Sequence, residues 1–166
     1  MAVENKYINA DVAAGKKGVA AFVHGEKETV MVATFEVAAA DDNGSVYRLF
    51  KNVPPSLIPI DIKIFNDAIT GCTDVELGLY EPLEAGGAVI DQDILMDTLD
   101  ISAGKTHASP GDGLGAVDIA NVQKRLFELA GHTLATRKNG YDIALTANTV
   151  GSAAGTISVI ARFVQG

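Results

Sequence analysis

The residues Ser102-Ala103-Gly104-Lys105-Thr106 end as a phosphate-binding loop ends, with Gly-Lys-Thr. The full motif G-x-x-x-x-G-K-[ST] needs a first glycine five residues before Gly104, a strand ahead of it and a helix behind it. Leu99 stands at the first-glycine position, and His-Ala-Ser-Pro-Gly-Asp-Gly follows Thr106. Pro110, followed by Gly111 and Gly113, does not open a helix where the phosphates would need one. The stretch therefore reads as the start of an exposed loop, with Lys105 available as a surface contact.

The remaining chemical candidates fail on spacing. Gly111, Gly113 and Gly115 are two apart, so the dinucleotide pattern G-x-G-x-x-G is not met. In Gly151-Ser152-Ala153-Ala154-Gly155 the serine directly follows the glycine, unlike the nucleophile elbow G-x-S-x-G. His24, His107 and His132 make no metal-binding pair along the sequence. His107 and His132 flank a loop and a helix and could meet in space, but exposed histidines are the expectation. Asp41-Asp42-Asn43-Gly44 resembles part of a calcium loop. EF-hand spacing, however, puts Ala39 at the first ligand position and Phe50 where the bidentate glutamate belongs. Asp91, Asp93, Asp97 and Asp100 form a sparse acidic run of a kind that can bind Ca²⁺. A solvated face is the simpler reading. No cofactor, metal or catalytic group is expected from these patterns, although catalytic residues can converge without a local motif.

Composition narrows the class. The 166 residues suffice for one domain with a real core. The net charge of −8, with 13 scattered Lys and Arg, argues against a general nucleic-acid binder, which needs a basic face. The lone Cys72 cannot form an intrachain disulfide, which fits folding in a reducing compartment. The opening MAVENKYINADV lacks the apolar run of a signal peptide, and no stretch approaches a membrane span. The expectation is a soluble protein made in a cytoplasm.

Periodicity supplies the elements. Residues 1–28 have no clean period; Tyr7, Ile8, Phe22 and Val23 are their sizeable apolar anchors. They read as an N-terminal arm or irregular segment, with room for one short strand at Val19–Val23. From Thr29 the period is two, with Met31, Ala33, Phe35 and Val37 on one face. Asn43-Gly44 predicts a turn, with SVYRLF as the return strand. In IPIDIKIF, Ile58, Ile60, Ile62 and Ile64 share a face, and Pro54, Pro55 and Pro59 hint at an edge or bend. TDVELGLYE, with Val75, Leu77 and Leu79 inside, is expected to pair with it as a hairpin. Ile94, Met96 and Leu99 suit either a strand or a short helical turn. Residues 102–115 are loop by composition. AVDIANVQKRLFELAG predicts the one helix, through Ile119, Val122, Leu126 and Leu129, capped by Asp118 and stopped at Gly131. Tyr141, Ile143, Leu145 and Ala147 share a face, as do Ile157, Val159, Ala161 and Phe163, which predicts a long terminal hairpin. About seven or eight strands and one late helix argue for an all-β antiparallel β-sandwich of jelly-roll type over residues 29–166.

Two segments carry a resemblance. These are TFEVAAADDNGSVYRLFKNVPPSLIPIDIKIFNDAITGCTDVELGLYE and YDIALTANTVGSAAGTISVIARFVQG, residues 34–81 and 141–166. Together they resemble small structural proteins of tailed bacteriophages that decorate or cement the capsid. The resemblance extends loosely to DIANVQKRLFELAGHTL and leaves out residues 1–28 and 102–115. It implies a β-sandwich that binds the outer surface of the major capsid protein shell as a dimer or trimer and braces neighbouring capsomers. It carries no catalytic residues. The contacts expected for such a role are Tyr7, Ile8 and Phe22 in the arm, with Lys105 in the loop. The competing reading is a glycan- or receptor-binding module of a phage fibre or head. The absence of Trp lowers that option, because glycan sites favour flat aromatic platforms. A third reading, an enzyme using Gly104-Lys105-Thr106 for phosphate, is the weakest.

Overall fold

A computed structural model describes residues 5–7, 28–109 and 121–166. Its elements are β1 (Asn5–Tyr7), β2 (Thr29–Val37), β3 (Ser45–Val53), β4 (Leu57–Asn66), β5 (Asp74–Tyr80), a 3₁₀ turn (Leu83–Ala85), β6 (Val89–Leu99), β7 (Lys105–Ser109), α1 (Leu126–Leu129), β8 (Tyr141–Thr149) and β9 (Gly155–Gln165). They form two sheets, ordered β1-β3-β8-β5-β6 and β2-β9-β4-β7. All pairings are antiparallel except β1 with β3. The all-β sandwich with one short helix is therefore observed. Its core joins Met31, Ala33, Phe35 and Val37 of β2 to Val75, Leu77 and Leu79 of β5 and to the predicted inner faces of β8 and β9. Each such large aliphatic side chain contributes about 2 kcal/mol by leaving water.

None of the three expected hairpins forms. β2, β4 and β9 lie in one sheet, while β3, β5 and β8 lie in the other. A period-two strand can bury its apolar face across a sandwich as well as beside a sequence neighbour, so the pattern alone does not choose. The connections choose, because they run from one sheet to the other. Asn43-Gly44 does turn, with Gly44 at φ +84° and the Ser45 N–H donating to the Asp42 carbonyl, but it launches β3 into the opposite sheet. The connections β4–β5 and β8–β9 lie against each other. Gly71 and Gly151 both have positive φ there, and a Cβ on Gly151 would come within 2.4 Å of the Thr70 carbonyl oxygen. Only glycine fits such an approach.

Three further expectations change. A register break between Pro59 and Asp61 makes Leu57 and Pro59 face inward, then Ile62 and Ile64, leaving Ile60 exposed and Ile58 half-buried. The bulge shifts the side-chain parity, which a strict alternation cannot anticipate. Among the described residues β7 pairs β4 over Ile62–Asn66, and Pro59 lies beyond that stretch, next to the register break that bends the strand. The helix covers only Leu126–Leu129. Asp118 and Ile119 lie outside the described residues, and Val122 stands in a turn ahead of the helix. The cap is Arg125, whose backbone N–H donates to the Glu128 carboxylate at 2.9 Å. Gly131, at φ +70°, ends the helix as expected. Finally, Lys105–Ser109 is not loop but an edge strand on β4.

Candidate functional site

The outer face of the β2-β9-β4-β7 sheet is built by register. Val30, Arg162 and Asp61 form one row, Val32, Ile160 and Lys63 the next, and Thr34, Ser158 and Phe65 a third. Val30, Val32 and Phe65 are exposed. Arg162 bridges Glu28 at 3.4 Å and Asp61 at 3.8 Å, and Lys63 reaches Asp61 at 3.5 Å. The Thr34 and Ser158 hydroxyls share a hydrogen bond of 2.8 Å. Charges are thus paired beside uncovered apolar side chains, a mixture suited to contact with another protein surface.

At one end of this face sits Ser102–Thr106. Asn66 directs its side-chain NH₂ at the carbonyls of Asp67, Ile101 and Ala103. The Asp100 carboxylate accepts the Ser102 N–H at 2.9 Å. These bonds set the turn that delivers Lys105 opposite Asn66 and Thr106 opposite Phe65. Strand pairing from Lys105 onward commits this backbone to β4, whereas a phosphate cradle needs free N–H groups at a helix start.

The other sheet is covered where alternation predicts solvent. Arg48 and Asp142 are fully buried and paired at 3.0 Å. Arg48 also donates to the carbonyls of Glu81 and Gly87, and Asp142 accepts the N–H groups of Asn52 and Leu83. The guanidinium lies 5.2 Å from the Tyr80 ring centre. The segment 81–88 is in this way fastened over the sheet. Tyr80 shares a hydrogen bond with Thr146 beside it. Gly78 lies under β6: a Cβ there would be 2.1 Å from the Asp91 carbonyl oxygen.

The acidic run partly converges. Glu76, Asp93 and Asp97 bring carboxylate oxygens within 4.8 Å of one another, and Glu76 accepts a hydrogen bond from Gln92. Oxygen ligands of this kind suit a hard divalent cation. Asp100 does not join them; it holds Ser102 instead. Burial, with the neighbouring Asp93, raises Asp91 to about 6.

Nucleophile chemistry finds no support in the groups best placed to supply it. Cys72 is buried, and burial, with Asp100 and Asp74 nearby, pushes its thiol up to about 11. At neutral pH it holds its proton, the opposite of an activated thiol. His132 is half-buried rather than exposed, with Nδ1 2.7 Å from the Tyr141 hydroxyl. Asp41, from the supposed calcium turn, accepts hydrogen bonds from the Tyr47 hydroxyl at 2.6 Å and the Ala38 N–H at 3.1 Å.

Of the predicted contact residues, Tyr7 lies on β1, opposite Arg48, and Lys105 begins β7 in the other sheet. Ile8 and Phe22 fall outside the described residues. Tyr7 and Lys105 therefore stand on different sheets. Sequence reasoning missed the Val30–Val32 face, although two valines at outward positions of an otherwise regular strand were a readable signal.

No family model and no curated protein sequence matches the chain. Solved structures share its fold, two of them from phage capsids. One is titled "Capsid of Ralstonia phage GP4", with a TM-score of 0.65 and 16% identity over 97% of this chain and 99% of that one. The other is titled "Cyanophage Pam1 capsid asymmetric unit", with a TM-score of 0.50 and 13% identity over 92% of this chain and 96% of that one.

Proposed function

We propose that the chain is a virion structural protein, a cement or decoration subunit that binds the outer surface of a bacteriophage capsid. The observation that carries this reading is the end-to-end match to a chain of the Ralstonia phage capsid, covering 97% of one and 99% of the other. A shared fold over whole chains, without long unmatched additions, supports a comparable job better than a local motif would. Its structural rather than catalytic character agrees with the buried thiol and the engaged Asp41 and His132.

In this reading residues 29–166 are the body, wound as a jelly roll, and residues 1–28 are an arm reaching over neighbours. Tyr7, Ile8 and Phe22 supply arm contacts, and Lys105 supplies one from the body. The partner is the major capsid protein, and the protein acts as a homo-oligomer on the virion surface after synthesis in the host cytoplasm. Among the described residues the aromatic side chains lend little to a glycan platform, Phe65 being the exposed one. Phe35, Tyr47, Phe50, Tyr80, Phe127, Tyr141 and Phe163 are buried.

The test is co-sedimentation of purified protein with capsid shells that lack it. Saturable binding is expected, weakened by deletion of residues 1–20 with the sandwich still folded. Absence of binding overturns the proposal, and unchanged affinity after the deletion removes the arm from it.

A further inference from the structure

Sheet edges invite strand addition unless something blocks them, such as shortness, bulges, charge or a covering segment. Among the described residues the two sheets have four edge strands: β1, β6, β2 and β7. β1 has 3 residues and β7 has 5. β6 breaks register with β5 three times and carries Asp91, Asp93 and Asp97. Among the described residues β2 shows the fewest of these devices: its one charge is Glu36, near the end of the strand. Its 9 residues pair with β9 in unbroken register, and Thr29–Phe35 contains no charge, proline or glycine. Val30 and Val32 stand 46% and 64% exposed beside the open edge.

We propose that β2 pairs antiparallel with β2 of a second copy, joining two four-stranded sheets into one about a two-fold axis. The strand is self-complementary in this sense. Centred on Ala33, the pairing sets Val32 against Thr34 of the second copy, Met31 against Phe35, and Val30 against Glu36. No like charges meet. Glu36 of the second copy falls in the row that already holds Val30 and Arg162, so opposite charges share that row across the seam. Centring on Val32 instead would set Glu28 against Glu36, which excludes that register. The side-chain parity is kept, so the inner side chains of both strands stay with their cores and the exposed valines of both copies line one outer face. This inference stands on the edge alone, independent of any shell.

The experiment is sedimentation velocity of the full chain across a dilution series, with amide exchange on the same samples. A concentration-dependent dimer is expected, protecting alternate β2 amides that a free edge leaves open. Val32→Lys, at an exposed position that leaves the fold intact by circular dichroism, should weaken the dimer about tenfold or more by charging the edge and setting the lysines of the two copies diagonally across the seam. Val32→Thr should retain it, as should Val89→Lys at an exposed site on β6. A monomer at every concentration overturns the proposal. So does a dimer indifferent to Val32→Lys. Loss of shell binding by Val32→Lys in a protein that never self-associates would assign the edge to the shell instead.

Discussion

Arg48 and Asp142 meet at 3.0 Å on adjacent strands, both fully buried, on the sheet face that points away from the core. Asp142→Ala would remove the carboxylate that pairs with Arg48 and accepts the N–H groups of Asn52 and Leu83. The expected cost is about 3–5 kcal/mol, read by urea unfolding. Amide exchange in residues 81–88 should rise in the same variant. Asp142→Asn should cost less, because its amide oxygen still accepts from Asn52. A loss below about 1 kcal/mol for the alanine variant would mean that the pair does not fasten the segment.

Gly78→Ala tests how β6 crosses β5. The added methyl meets backbone, the Asp91 carbonyl at 2.1 Å and the Gln92 carbonyl carbon at 2.3 Å, so no rotamer change relieves it. Thermal unfolding should show a loss of about 3 kcal/mol or more. Gly86→Ala is a useful contrast in space: no atom lies within 4 Å of the added carbon, although its φ of +107° still carries a strain cost.

Asp91 gives a pH signature. Its folded value of about 6 lies above its ordinary carboxylate value of 3.8. Between those two pH values the folded state holds a proton that the unfolded state has released, so stability falls as pH rises through that window. The full penalty applies above about pH 6. Asp91→Asn should therefore raise the melting temperature at pH 7, with the gain shrinking toward pH 4. An equal gain at both pH values would point to a cause other than titration.

Much of this was legible before the structure. The buried faces Met31–Val37, Val75–Leu79 and Ile157–Phe163 follow from alternation and are observed in the core. The partners of those strands were not legible, because alternation fixes which side is buried and not which sheet a strand joins. Ile60 escaped for a local reason, a bulge that changes parity. Asp142 escaped because a polar residue between apolar ones looks solvent-facing. The small Gly78, Ala144 and Thr146 around it were the available hint that a second layer lies on that face.

Gly104-Lys105-Thr106 should not bind nucleotide. Titration of ATP with Mg²⁺ should give no heat of binding, in the natural chain and in Lys105→Ala alike. A binding curve abolished by Lys105→Ala would contradict the strand assignment, since β7 is already paired along β4.

The central claim is that the protein strengthens a capsid. The direct measurement is the rupture temperature of bacteriophage shells lacking it, recorded with and without the purified chain, and repeated with a chelator. A saturable rise in rupture temperature, retained in chelator, is the expected result. Shells that rupture at the same temperature with the protein present in excess would contradict the account.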